Sequence, residues 1–328
     1  MDDGRYGCEA LLGDVPPGLV PRLVGLLPYG RHPTPYEHPE EPPFVLLTGP
    51  DRSALLGELR AAYRGHTPVA LTDCASAPSV ARALTGIAEQ LAEPVAGAGR
   101  IGFPRLAAGL LAVAMGGWSA GGMTAARIGA EAERILALGG PGAGGRGRIA
   151  VRLLTALAST GPVVEPLIEA ALEAFCEGVS PAQRRLRRAA GWYRDYPGAG
   201  GSPKLGLVLL AGDVRSRAPR KRAELLLVRA LLADLDDAYA APLYRSPRPG
   251  RPLVLIDNAQ QAPALIAAVL RERANGTTDQ VAFLASLPDT DHPALRDAAR
   301  RTLTEVARDS GWEPRKTAAS RALLLATG

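Results

Sequence analysis

The chain has 328 residues, 47% of them hydrophobic and 22% charged, with a net charge of +5. Those are the values of a folded chain with room for one or two domains, and they exclude intrinsic disorder. A net +5 over this length is only a weak pointer to nucleic acid, and nearly all the positive charge is arginine, since only Lys204, Lys221 and Lys316 are lysines. Cys8, Cys74 and Cys176 are far apart and odd in number, so they form neither a disulfide framework nor a zinc spacing and read as buried thiols of a reducing compartment. The start Met1-Asp2-Asp3-Gly4 is acidic where a signal peptide needs a basic region, so the expected location is cytoplasmic.

In chain order, residues 1–43 read as a proline-rich leader holding one short helix near Pro21. His32 and His38, with Glu37 and Glu40, match no zinc motif there, and the surrounding prolines prevent a helix face that would align them. Residues 44–94 read as the first half of an α/β core. A strand at 44–48 leads into a helix over Ser53 to Arg64, and a strand ending at Asp73-Cys74 leads into a helix over Ser79 to Glu93. Residues 95–203 read as a helical insertion. Its apolar run from Leu106 to Ala126 has the length of a membrane span. Five glycines interrupt that run, with a break at Trp118-Ser119-Ala120, so a buried helical hairpin is the expected form and a membrane span is not. The glycine-rich stretch Gly139 to Gly147 has no strand before it and reads as a linker, followed by helices near 148–159 and 163–177.

Ser180-Pro181 starts a further helix that carries Arg184, Arg185, Arg187 and Arg188, then Trp192, Tyr193, Arg194 and Tyr196. Basic and aromatic residues together suit single-stranded nucleic acid; a solvated face with inward-packed aromatics explains the same letters and is the expectation here. Residues 204–328 read as the second half of the core. The basic cluster Arg215 to Arg222 reads as an exposed turn, and Asp234, Asp236 and Asp237 on the next helix as solvent-facing charges. Strands at 253–256 and 280–286 follow, each with a helix behind it (262–273 and 293–310), and then a short closing strand at 321–325.

Two stretches carry the chemistry. Phe44-Val45-Leu46-Leu47-Thr48-Gly49-Pro50-Asp51-Arg52-Ser53 has the order of a strand, a phosphate loop and a helix, and Leu253-Val254-Leu255-Ile256-Asp257-Asn258 has the form of the later strand that presents a magnesium-holding acid. Counted from Gly49, the last three positions of G-x-x-x-x-G-K-[ST] fall on Ala54, Leu55 and Leu56, and none fits. A shortened loop instead puts Arg52 and Ser53 where Lys and Ser/Thr belong. Such a loop has one glycine to curl around a phosphate, a proline with no N–H, and Asp51 repelling the anion.

These stretches, with Val281-Ala282-Phe283-Leu284-Ala285-Ser286, Trp192-Tyr193-Arg194-Asp195 and Phe103-Pro104-Arg105, resemble STAND/AAA-type P-loop ATPases of high-GC Gram-positive bacteria. The resemblance implies a P-loop NTPase-like parallel sheet with a large all-helical insertion. It implies that Asp257 is the Walker B acid holding Mg²⁺ through water and that Ser286 is the polar end of the sensor strand. It also sets Asn258 where relatives carry the catalytic glutamate, and an amide cannot take a proton from the attacking water. The expectation is a catalytically degenerate P-loop relative, a cytoplasmic regulatory or scaffold module acting on a protein partner. The alternatives are a switch that binds ATP and Mg²⁺ through Gly49, Arg52, Ser53, Asp257, Asn258 and Ser286, and a nucleic-acid binder using the Arg-rich helix.

Overall fold

The computed structural model describes residues 9–13, 18–28, 34–35, 42–77, 79–96, 99–118, 125–140, 181–215, 217–240, 250–276, 279–288, 298–308 and 322–326. The leader histidines, Cys8, Cys176, the stretch from residue 141 to 180 with its two expected helices, and residues 293–297 lie outside them. The chain divides into two compact units, one of Met1–Gly99 with Leu235–Gly328 and the other of Arg100–Asp234. The helical unit thus runs to Asp234, past the boundary at 203 drawn from sequence.

The first unit is built on six parallel strands: β1 (Phe44–Thr48), β2 (Val69–Asp73), β3 (Leu253–Asp257), β4 (Ala282–Leu287), β5 (Ala299–Thr302) and β6 (Ala322–Ala326). Their order across the sheet is β2-β3-β4-β1-β6-β5. The fold is α/β with a P-loop-like parallel sheet interrupted by a helical insertion. Strands β1 and β4 are buried along their whole length, as apolar runs covered on both faces must be. Val45, Leu47, Leu253, Leu255, Leu284 and Leu325 turn one face of the sheet toward Leu55, Leu56, Leu59 and Tyr63 of the helix that follows β1. On the other side Phe44 of β1 stacks on Phe283 of β4, with centroids 5.3 Å apart.

The two outer strands are only part-buried and are protected differently. Gln90 lies beside β2, where Leu71 N–H donates to its Oε1 (3.1 Å) and its Nε2 donates to Leu71 C=O (3.0 Å). β5 carries Arg300 and Arg301. A strand stands there within the stretch 293–310 expected as one helix, and among the described residues of that stretch only Leu303–Arg308 are helical. The sequence Ala-Arg-Arg-Thr is too polar to read as a strand; pairing with β6 in parallel register imposes it.

Helices in this unit start and stop where caps direct. α1 (Leu19–Val24) ends on Gly25 at φ 73°, a left-handed cap that glycine adopts without strain. α2 (Arg52–Tyr63) follows β1. α3 (Val80–Leu91) is capped by Ser79 Oγ, which accepts from Arg82 N–H at 3.3 Å.

The helical unit contains α4 (Pro104–Trp118), α5 (Ala125–Leu138), α6 (Pro181–Ala190), α7 (Pro203–Arg215) and most of α8 (Arg217–Tyr239). α4 packs against α5, α6 and α7, and among the described residues no helix is long and apolar enough to cross a membrane. Gly109 on α4 shows why glycine interrupts the apolar run: a Cβ there would stand 2.2 Å from the Tyr193 hydroxyl oxygen. The segment Gly191–Asp195 that carries Trp192 and Tyr193 is a 3₁₀ turn, so α6 ends before the aromatics and does not include them. Arg217 to Arg222, expected as a turn, open α8.

Asp234 corrects a further expectation. It is buried: its carboxylate accepts from Arg105 N–H (3.2 Å) and Leu106 N–H (3.0 Å) and pairs with Arg105 Nη1 at 3.4 Å. A carboxylate from α8 therefore satisfies the free N–H groups at the start of α4 and complements its dipole. Asp236 and Asp237 are exposed, as expected.

Candidate functional site

The chain leaving β1 runs to the β2 edge of the sheet, and the chain leaving the adjacent β4 runs to the β5 edge. Where two neighbouring parallel strands send their connections opposite ways, a crevice opens at their carboxyl ends, the usual ligand position of an open α/β sheet. Gly49 and Ser286 stand at those ends, and Asp257 ends the next strand. The six candidate residues thus share one edge of the sheet.

The passage from β1 to α2 is a tight turn. Gly49 takes φ 121°, a conformation glycine accepts without a side-chain clash. Pro50 follows, and Asp51 has φ −94° and ψ 9°, the third-residue geometry of a type I turn with proline in its preferred second place. The helix begins at once, since Leu55 N–H donates to Asp51 C=O at 3.0 Å. Arg52 Nη1 folds back to donate to Gly49 C=O at 2.6 Å, while its Nε is buried without a hydrogen-bond partner.

Helix α2 then presents Ser53. Its hydroxyl donates to Asp257 Oδ1 at 2.8 Å, across 204 residues of chain. Ser286 Oγ donates to the same oxygen, and so does Asn258 N–H at 2.9 Å. Asn258 N–H also lies 2.9 Å from Ser286 Oγ, which fixes the three residues against one another. Asp257 is partly exposed and Ser286 fully buried, so the carboxylate is anchored from beneath and open from above.

Asn258 is the one non-glycine residue with positive φ among the described residues, at φ 51° and ψ 44°. Asparagine tolerates that left-handed conformation better than most side chains. The turn directs its Nδ2 to donate to Asp73 Oδ1 at 2.9 Å. Asp73 ends β2, in register with Asp257. The Asn258 amide, and after it the Ala75 N–H, hold the Asp73 carboxyl below its ordinary value, with slight burial opposing them. Beside it the Cys74 thiol is pushed up to about 11, first by burial and then by the charges of Asp73 and Asp257. Cys74 is accordingly a protonated, unreactive thiol at neutral pH, in keeping with the buried thiol expected from sequence.

Ser53, Asp257, Asn258 and Ser286 thus form a single hydrogen-bonded group, while Gly49 and Arg52 are bonded to each other beside it. Sequence reasoning recognised that β2 ends at Asp73 but gave Asp73 no role; the signal that would have found it is an aspartate at the carboxyl end of a strand in the same sheet. Within the group the carboxylates meet only neutral donors, and among the described residues no cation pairs with Asp73 or Asp257. Such a group can order water or a cation above Asp257. The turn before it lacks the successive N–H groups that a phosphate needs. No protein-family model, curated protein or solved structure matches this chain.

Proposed function

We propose that the sheet unit is a catalytically degenerate P-loop NTPase-like module, a regulatory or scaffold element of the cytoplasm that acts through contacts with a protein partner. The observation that carries this reading is the type I turn Gly49–Arg52: it takes the place of a phosphate loop, and Arg52 closes it by bonding Gly49 C=O. Asn258 adds to it, because an amide at the position after Asp257 supplies no base for hydrolysis. A polar anchor at the carboxyl ends of the strands is kept while the parts that would grip and cleave a triphosphate are not.

One observation favours a second reading, an ATP-binding switch with Mg²⁺. Ser53 Oγ meets Asp257 Oδ1, and these are the residue types and positions that hold the metal in the resemblance's motifs. It also supports the shortened-loop alignment over the one ending at Ala54-Leu55-Leu56. In this reading Asp257 and Ser53 would hold Mg²⁺, and Arg52 would have to leave Gly49 to meet a phosphate.

Calorimetric titration of ATP into the protein, with and without Mg²⁺, separates the two. For the scaffold reading, neither heat nor thermal stabilisation is expected at millimolar ATP. Micromolar affinity that disappears in Asp257→Ala and falls in Arg52→Ala would overturn it in favour of the switch.

A further inference from the structure

The charge of the chain is unevenly divided. Residues 100–234 hold 19 Lys and Arg against 10 Asp and Glu, a net +9, so the remaining chain, with 19 against 23, is −4. The modest overall +5 conceals a strongly basic helical unit. Two of its acids are withdrawn from the surface: Asp234 caps α4, and Glu224, also buried, pairs with Arg220 at 2.8 Å.

The exposed cations are gathered. Arg184, Arg185, Arg187 and Arg188 occupy one side of α6, all exposed, while Leu186, Ala189 and Ala190 pack inward on the other. Among the described residues, Arg184, Arg187 and Arg188 pair with no carboxylate. The 3₁₀ turn after α6 meets α8 at Trp192: the Arg229 guanidinium lies 5.9 Å from the centre of that half-buried ring, while Arg194 of the turn pairs with the exposed Asp195 at 3.7 Å and Tyr196 donates to Asp213. The four exposed arginines of α6 therefore form the basic strip, and the turn beyond it adds Trp192 with Arg229. None of these residues takes part in the group around Asp257.

We infer that this strip binds single-stranded nucleic acid through its phosphodiester backbone, without sequence preference. Guanidinium forks match phosphate oxygens, and Trp192 with Arg229 over its ring offers a partly exposed aromatic on which a base can stack. A lipid surface fits less well, because the apolar face of α6 is spent inside the unit, and among the described residues Leu205 is the only large hydrophobic side chain exposed.

The test is fluorescence anisotropy of the full chain with a labelled oligothymidylate of about 20 nucleotides, between about 50 and about 200 mM salt. With about four phosphates neutralised, affinity should fall roughly 50-fold over that range, a slope near −3 in log K against log salt. Arg187→Ala with Arg188→Ala should make the slope shallower by about 1.4. Arg187→Lys with Arg188→Lys, which keeps the charge, should restore it. Alanine and lysine are both good helix formers, and circular dichroism checks that α6 persists. Arg64→Ala with Arg82→Ala, an equal loss of charge in the sheet unit, should leave binding unchanged. Three results would overturn the inference: no binding at the lowest salt, equal loss in the Arg64/Arg82 variant, or preference for polyglutamate over the oligonucleotide, which would assign the strip to an acidic protein.

Discussion

The two edges of the parallel sheet each hold an aspartate-centred network, and they are built on opposite principles. At the amino-terminal edge, Asp279 lies just before β4 and is buried with Arg273, in the last turn of helix α9 (Pro263–Ala274). Arg273 Nε and Nη2 meet the two carboxylate oxygens at 2.7 and 2.8 Å, Nη2 also donates to Val281 C=O, and Nη1 donates to Pro42 C=O just ahead of β1. The guanidinium further lies 5.4 Å from the centre of the Phe283 ring. Charge is met by charge, and each guanidinium nitrogen donates a hydrogen bond. At the carboxyl-terminal edge, Asp257 and Asp73 are met by hydroxyls, an amide and backbone N–H groups, in partial contact with water. The first arrangement pins the strands to the preceding chain; the second leaves negative charge available to something outside the protein. A site and a structural clasp can thus be told apart by whether the partner of a carboxylate is a cation.

Breaking the clasp should have the largest effect. Arg273→Met removes the hydrogen-bonded counter-charge of buried Asp279, leaving it the charge of buried Arg251, and should lower stability by about 3 kcal/mol in urea unfolding. Adding Asp279→Leu should recover much of that loss, because the stranded charge is what costs most. If Arg273→Met alone proves neutral, the clasp is not structural.

At the opposite edge the same kind of deletion should cost less. Asp257→Ala removes one acceptor shared by Ser53, Asn258 and Ser286 and should destabilise by about 1–2 kcal/mol, since only Ser286 is left buried. Ser286→Ala should cost about 1 kcal/mol, measured the same way. A penalty at Asp257 as large as that at Arg273 would mean the site edge is structural as well.

Asn258→Gly should have the smallest effect and a distinct signature. Glycine accepts φ 51° freely, so the backbone is unstrained while the bond to Asp73 is lost. The Asp73 carboxyl, held below its ordinary 3.8 in the native protein, should move back toward that value in a carboxyl-carbon NMR titration. Because its folded pKa is depressed, Asp73 contributes stability that is present above about 3.8 and lost as pH falls through the folded value; the variant should show less of this acid-side loss. An unchanged Asp73 titration would reassign the shift to Ala75 N–H.

Much of the fold could be read from local pattern. β1, β3 and β4 are apolar runs of strand length, Ser79 marks a helix start, and the interrupted run after Arg105 declared a buried helical hairpin and no membrane span. Polarity hid β5, whose arginines suit an exposed edge and whose strand form comes from β6 alone. It also hid Asp234, because an aspartate on a helix reads as solvent-facing unless the helix end that it caps is known. At the site, Asp257 and Ser53 could be named from the sequence, but Asp73 could not be tied to them.

The sequence by itself determined the kinds of elements, the parallel α/β class and the identity of the polar residues at the strand ends, because periodicity, capping and burial demand act over a few neighbouring residues. Only the tertiary structure decided that β4 lies between β3 and β1, that Ser53 meets Asp257, that Asn258 reaches Asp73, and that Arg229 of α8 lies over Trp192. Those neighbours are separated by tens to hundreds of residues. They are brought together by the packing of whole elements, to which no local pattern refers.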